Sequence, residues 1–431
     1  MKKLEIGNFH VKDIVFGEKT SYENGILTVN VEEAKEVINP EGKLKNIEFH
    51  IVHPGDSVRI MPVKAATEPR YRLDGRCLYP GYTGPVSACG DGKIYAMKGI
   101  SCLIAGKYSS MGDGIIDMSG PGAEYCHYAR MTNIVIYAER TNEKELDLTL
   151  REEEEMRLAA HILSEYLGKT LKDQEPEDWE IYELEPGQKE ADEKGLPRVA
   201  LVMTVISQLS NGINEKFYGQ DIHNMLPLLV HPNSILDGLV VESMMSGQGL
   251  GTCDFCNLPM IKRLYQEHGK TLNFIGIILV PADVSNEMKQ RNKIAAGEIG
   301  SLLKLDAAII EEWGGGSNID VDEFYLLAEF EDRGIKTVGV MTEHIGKMLV
   351  DDKADAIVSC GESSTVIELP PMDKVIGDID SAVRDYYYGC WTTHAEYGPS
   401  LREDGSLVIN TFAIANGGNS SGWNKRIARE Y

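Results

Sequence analysis

The chain has no apolar run of the roughly 18 to 20 residues needed to cross a bilayer as a helix, and its first residues, Met1-Lys2-Lys3-Leu4-Glu5, do not open a secretory signal. We therefore expect a cytoplasmic protein with no membrane partner. Basic residues are short: 43 Lys and Arg face 67 Asp and Glu, for a formal charge of -24. Nucleic acid would be repelled at long range by such a surface, so it is not an expected partner. Eight cysteines in 431 residues are too few and too scattered for a disulfide framework, and reduced thiols are the expectation in a cytosol. There is one C-x-x-C, Cys253 and Cys256, but no second pair or nearby histidine pair to complete a zinc site, so no metal is expected. The 117–123 run lacks P-loop spacing.

What is present is ordinary globular composition, 42% hydrophobic and 26% charged, in a chain long enough for two or three units. Alternation and β-branched residues predict strands over 14–17, 25–30, 46–52, 57–63 and 131–139, with a short helix over 31–38. The glycine- and proline-rich stretch 80–92 predicts turns, read as a hairpin reaching toward another subunit. Apolar spacing over 151–167 predicts a helix that closes a β-rich N-terminal domain, 1–169. The acidic, proline-containing 170–197 stretch reads as a linker. Beyond it, apolar runs at 199–206, 236–241, 273–280, 307–311, 336–341 and 354–359 alternate with helical patterns at 260–268, 286–303 and 320–333. That alternation predicts a doubly wound, mostly parallel α/β domain over 198–431, so the fold class is α/β.

Ligands of such sheets lie beyond the carboxyl ends of the strands. The loop after 236–241, within VVESMMSGQGLGTCDFCN (240–257), joins an apolar run to glycines and two thiols. Glycine lets backbone approach a ligand, and Gly249, Gly251, Thr252, Asp254 and Asn257 are expected to line a small-molecule site with Glu242. Glu312, Gly315 and Asn318 follow the 307–311 run, Glu343 and His344 the 336–341 run, and CGESST (360–365) the 354–359 run; these four loops are expected to face one crevice. Cys253 and Cys256 are candidate catalytic thiols, the first placed where a helix N-terminus would depress its pKa. Glu343 and His344 are candidate acid and base groups, since imidazole titrates near neutrality.

Longer segments carry a resemblance. GIIDMSGPGA (114–123), Tyr218-Gly219, Leu236-Asp237-Gly238, ELPPMDKVIG (368–377) and SLREDGSL (400–407) resemble the proprotein of glycine/sarcosine/betaine reductase component B, to which D-proline reductase proproteins are related. The resemblance runs nearly end to end. It implies reductive cleavage of a C–N bond in anaerobic amino-acid fermentation, a small amine-type substrate, and a hetero-oligomer with a second subunit bearing Cys or selenocysteine. It also implies that an internal cysteine is converted to a pyruvoyl group, whose ketone serves as an electron sink. Gly251-Thr252-Cys253 offers the small residue and thiol for that rearrangement. Counted from Asp237-Gly238, however, the family's processed cysteine falls near Met244 and Met245, and counted back from Asn257-Leu258-Pro259, Cys253 stands several positions late. Alternatives therefore stay open: an uncut, pyruvoyl-free paralogue working as a lyase or metal-assisted enzyme through Glu242, Asp254, Glu312, Glu343 and His344, or a non-catalytic assembly subunit.

Overall fold

The computed structural model describes residues 2–107, 114–141, 154–184, 189–207, 215–242, 249–312, 318–343, 353–362, 365–378, 400–419 and 429–430. Two sheets form the N-terminal half. One runs Gly114–Asp117, Val58–Thr67, Ile100–Ala105, Thr132–Arg140, Leu44–Val52, and its strand Val58–Thr67 is buried at every position. The other runs Asp178–Leu184, Lys2–His10, Gly92–Lys98, Arg70–Arg72. The helix Val31–Ile38 forms where apolar spacing predicts it, because the Asn30 carboxamide oxygen accepts the N–H groups of Glu32 and Glu33 at 3.0 and 3.2 Å. The helix Glu154–Gly168 buries Met156, Ala159, Ala160, Leu163 and Leu167, one stripe at helical spacing, into the core beneath these sheets.

The C-terminal sheet orders Leu228–Val230, Asn273–Ala282, Arg198–Ile206, Ala307–Glu311, Lys336–Glu343, Ala356–Glu362 and Arg429–Glu430. Its five inner strands are parallel and its two edges antiparallel. The second of the parallel strands in sequence, Asn273–Ala282, and the third, Ala307–Glu311, flank Arg198–Ile206 on opposite sides, so the winding reverses between Arg198–Ile206 and Ala307–Glu311. Helices Asn286–Leu302 and Asn318–Asp332 make crossovers. The mixed α/β class, β-rich at first and doubly wound after, is the observed one.

One predicted strand is not there. Over 236–241 the chain instead ends a short helix, Pro232–Leu236, turns at Gly238 with φ of 86°, and makes only the two-residue strand Val240–Val241. The cause is local chemistry: Pro232 sits in the first helical turn, and Asp237 is pinned by Arg72 and by the Gly90 N–H. Val240–Val241 pairs with Lys216–Phe217 in a small separate sheet, so the glycine- and thiol-rich segment does not follow a strand of the parallel sheet.

The 170–197 stretch contributes Asp178–Leu184, antiparallel to Lys2–His10. Lys374–Gly377 returns to pair in parallel with Val58–Thr67, and Leu369, Leu407, Ile409 and Ile414 enter the N-terminal core. A division of the chain at 170–197 remains a proposal, with these strands as ties across it. The 80–92 stretch folds back on its own chain: Gly81, at φ of 83°, meets the backbone of Tyr218 so closely that any side chain there would collide. Among the described residues no helix is long and apolar enough to cross a membrane.

Candidate functional site

The Thr252–Phe255 helix is a single turn, wholly buried, and side chains from elsewhere in the chain hold Thr252 and Asp254. Thr252 is gripped at two points: its N–H donates to Glu242 Oε2 at 2.8 Å, and its hydroxyl accepts the Glu242 N–H at 3.1 Å. The other Glu242 oxygen accepts the Ala66 N–H at 3.1 Å. His161, fully buried, brings Nε2 to 2.9 Å from the Thr252 hydroxyl and 3.3 Å from Glu242 Oε2. Its Nδ1 lies 2.8 Å from the Arg157 carbonyl and must carry a proton, because a carbonyl only accepts. Burial, the largest single influence, lowers the His161 pKa, but the Glu242 carboxylate, the Arg157 carbonyl and Glu165 together outweigh it and the net shift is upward. The rings of Tyr79 and Tyr82 pack edge-on against the imidazole, at centroid distances of 4.8 and 4.9 Å.

Asp254 closes the turn from the other side. Its Oδ2 accepts the Gly251 N–H at 2.7 Å, the Tyr128 hydroxyl at 2.9 Å and the Asn416 amide at 3.1 Å, while Oδ1 lies 2.5 Å from His127 Nε2. The Thr252-Cys253 junction thus sits between two acid–histidine pairs, drawn from a helix and a loop that are far apart in sequence.

Cys253 itself, 3% exposed, forms part of the wall of a cavity of about 690 Å³, together with Glu68, Lys98, His127, Arg130, Asn257 and Lys262. The Cys253 carbonyl accepts the Asn257 amide at 3.0 Å. Glu68 ends the buried strand system and accepts from Arg70 at 2.7 Å and from Lys98 at 2.9 Å. Burial would raise this carboxyl, yet the two cations hold it down at about 2. Burial pushes the Cys253 thiol well up and Cys256 up to about 11. Neither is a thiolate at neutral pH, which corrects the expectation that a helix N-terminus would depress Cys253: desolvation wins over a one-turn helix.

The expected residues therefore divide. Cys253 and Asn257 face the cavity; Glu242, Gly251, Thr252 and Asp254 form the clamp behind it; Cys256 is buried, its carbonyl accepting from Arg70 at 3.1 Å, and the Gly249 carbonyl accepts from Asn419 at 3.3 Å. Glu312 and Glu343 lie instead at the carboxyl ends of the parallel strands. There Glu311 ends the strand Ala307–Glu311, Glu312 follows it, and Asn318 opens the next helix. Burial raises Glu311 to about 8, with Glu323 adding to it, and raises Glu312 far above the carboxylate range, with Glu323 and Asp320 adding to it. Glu343 accepts from the Ser359 hydroxyl. Gly315 and His344 lie outside the described residues. Among the described residues no group of three His, Cys, Asp or Glu side chains is arranged to hold a metal. Residue patterns did not point to Glu68, Lys98, His127, His161 or Lys262. His161 is masked by the apolar periodicity of its helix, and the others meet only through long-range packing.

The family model for glycine/sarcosine/betaine reductase component B subunits matches residues 1–429. The chain is 41% identical, over the whole of both chains, to the betaine reductase complex component B subunit alpha of Peptoclostridium acidaminophilum. It is 34% identical, again over the whole of both, to the glycine reductase complex component B subunits alpha and beta of Acetoanaerobium sticklandii and to the sarcosine reductase complex component B subunit alpha of Peptoclostridium acidaminophilum. The chain belongs to the glycine/sarcosine/betaine reductase component B family, and its activity class is that of an oxidoreductase component.

Proposed function

We propose, from that membership, that this chain serves in the reductive cleavage of the C–N bond of a small N-substituted acetate, that Cys253 is the residue converted to a pyruvoyl group, and that a partner subunit bearing Cys or selenocysteine completes the reaction. The substrate class follows from the relatives' names: glycine, sarcosine and betaine share one acetate skeleton and differ only in methylation at nitrogen. Processing is supported by the name of the Acetoanaerobium relative, in which one polypeptide, matched over its whole length, is called subunits alpha and beta.

The observation that carries the reading is the Thr252-Cys253 junction, clamped by Glu242 and His161 on its N-terminal side while Cys253 fronts the cavity. In the conversion the Cys253 sulfur bonds to the Thr252 carbonyl carbon as the peptide C–N bond breaks. Elimination then removes that sulfur with the Thr252 carbonyl as a thiocarboxylate, and hydrolysis releases the Cys253 nitrogen as ammonia, leaving a ketone. Burial keeps Cys253 a thiol, so its proton must be taken up nearby as it attacks. The Thr252 hydroxyl, His161 and Glu242 form a short chain of groups suited to receive and hold it. Asn257 orients the Cys253 carbonyl, and Lys98 and Lys262 front the same space. When formed, the ketone supplies an electrophile to the bound substrate.

Carbonyl-directed labelling tests this. A hydrazide probe is expected to label the denatured wild-type protein on the peptide that begins at position 253 and to leave Cys253→Ala, which has no side-chain nucleophile, unlabelled; labelling equal in the two proteins, or absent from both, would defeat the assignment.

A further inference from the structure

The cavity contains an arrangement that the proposed chemistry of Cys253 does not use. Lys98 Nζ donates to Glu68 Oε1 at 2.9 Å and to Asn257 Oδ1 at 3.0 Å. Lys262 Nζ donates to Glu180 Oε2 at 2.8 Å and to the same Asn257 oxygen at 3.4 Å. An ammonium has three N–H donors, so each lysine keeps one beyond these partners, and both side chains border the cavity. Bringing two cations to one amide oxygen is unfavourable unless something else compensates them. Lys262 registers that cost: its pKa is lowered, first by burial and next by the charge of Lys98. Four cationic side chains, Lys98, Arg130, Lys262 and Arg263, border the cavity, in a chain whose net charge is -24; Glu180 pairs with Lys262 and Glu267 with Arg263, each at 2.8 Å, but among the carboxylates of the described residues Glu68 is the one that lines it. Glu68 is moreover shared with Arg70.

We propose that the free N–H groups of Lys98 and Lys262 form an oxyanion subsite that holds the carboxylate of the substrate, an assignment that rests on the reading of this cavity as the substrate site. Two ammonium donors fixed by one amide present a fork to the two oxygens of a carboxylate. This end of the molecule is constant across the N-substituted acetates, so the subsite would bind any of them and leave discrimination among nitrogen substituents to other groups. Asn257 joins the two functions: its oxygen sets the lysines and its amide holds the Cys253 carbonyl, which fixes the carboxylate subsite relative to the reacting position.

Ligand-observed NMR with the full chain tests the assignment, using acetate as the constant end, tetramethylammonium as the variable end, glycine betaine as the whole, and inorganic phosphate as the other oxyanion. Acetate and glycine betaine are expected to compete with each other, and tetramethylammonium to displace neither. Lys262→Met is expected to weaken both by about tenfold or more, the loss of one charge-assisted hydrogen bond. Lys262→Arg, which keeps the charge, is expected to retain most of the binding, so that a misfolded Met variant would not decide the matter. Unchanged acetate binding in a folded Lys262→Met protein would overturn the subsite, and phosphate displacing acetate at tenfold lower concentration would overturn its assignment to a carboxylate. Intact mass on the same samples separates this from the processing proposal: an uncut chain that binds acetate through Lys262 sinks the pyruvoyl reading alone, and a cut chain indifferent to Lys262→Met sinks the subsite alone.

Discussion

Two buried charged regions of this molecule behave in opposite ways. Beside Cys253, Glu68 is surrounded by Arg70 and Lys98 and is held at about 2. At the point where the parallel sheet reverses its winding, the groups that act on Glu311 and Glu312 are other acids, Glu323 and Asp320, and Glu311 rises to about 8. Burial pushes every one of these carboxyls upward; the neighbours decide the outcome. The first region is an ionised lattice around a cavity, fit to receive an anion. The second holds three carboxyls, Glu311, Glu312 and Glu323, that keep their protons near neutrality, and it lies where doubly wound sheets usually bind ligands. Fold-level analogy alone would have chosen the second region as the centre of chemistry, whereas the thiol, the clamp and the cations gather at the first.

The contrast can be broken most sharply at the two thiols. Cys253→Ala is expected to lower turnover of the assembled reductase by about a thousandfold or more, because it removes the side-chain nucleophile from which the proposed electrophile is made. Cys256→Ala, three residues on but not bordering the cavity, is expected to stay within about tenfold of wild type; equal losses would erase the distinction between them. Next in size is the clamp. Glu242→Ala leaves two buried N–H groups, of Ala66 and Thr252, without their acceptor and removes the carboxylate beside His161, so a loss of about 3–5 kcal/mol is expected in denaturant unfolding. A loss under 1 kcal/mol would show the clamp to be incidental.

The smallest effect belongs to the acidic region, and its sign is fixed by linkage. Glu311 has an ordinary value of 4.5 when unfolded and about 8 when folded, so the native state keeps a proton that the unfolded state releases. Its contribution is complete below pH 4.5 and is lost as pH rises through 8. Glu311→Gln, which cannot ionise, is therefore expected to melt on the order of 3 °C above wild type at pH 9 and to match it at pH 5. The same advantage at both values would mean that Glu311 is ionised throughout.

Much of the architecture was legible in residue order. The alternation of apolar runs and helical patterns beyond residue 198 foretold the parallel sheet, and the helix predicted over 31–38 is the observed Val31–Ile38. The error at 236–241 has a physical cause: a short segment with four apolar residues looks the same whether it ends a helix or forms a strand, and the anchoring of Asp237 by Arg72 is a contact across 165 residues that no local pattern carries. The cavity was half legible. Gly251, Cys253 and Asn257 announce themselves by type and spacing, while Lys98, Lys262 and Glu68 are ordinary surface-type residues whose meaning comes only from being brought together. His161, in the middle of an apolar helical stripe, looked like core and is indeed core, but core that touches Thr252.

Everything placed at Cys253 depends on the chain being cut there, and intact mass under denaturing conditions measures that directly. Protein purified from cells that make the whole reductase is expected to separate into two polypeptides, the first ending at Thr252 and the second beginning with the residue derived from Cys253. A single species of 47.7 kDa would contradict it.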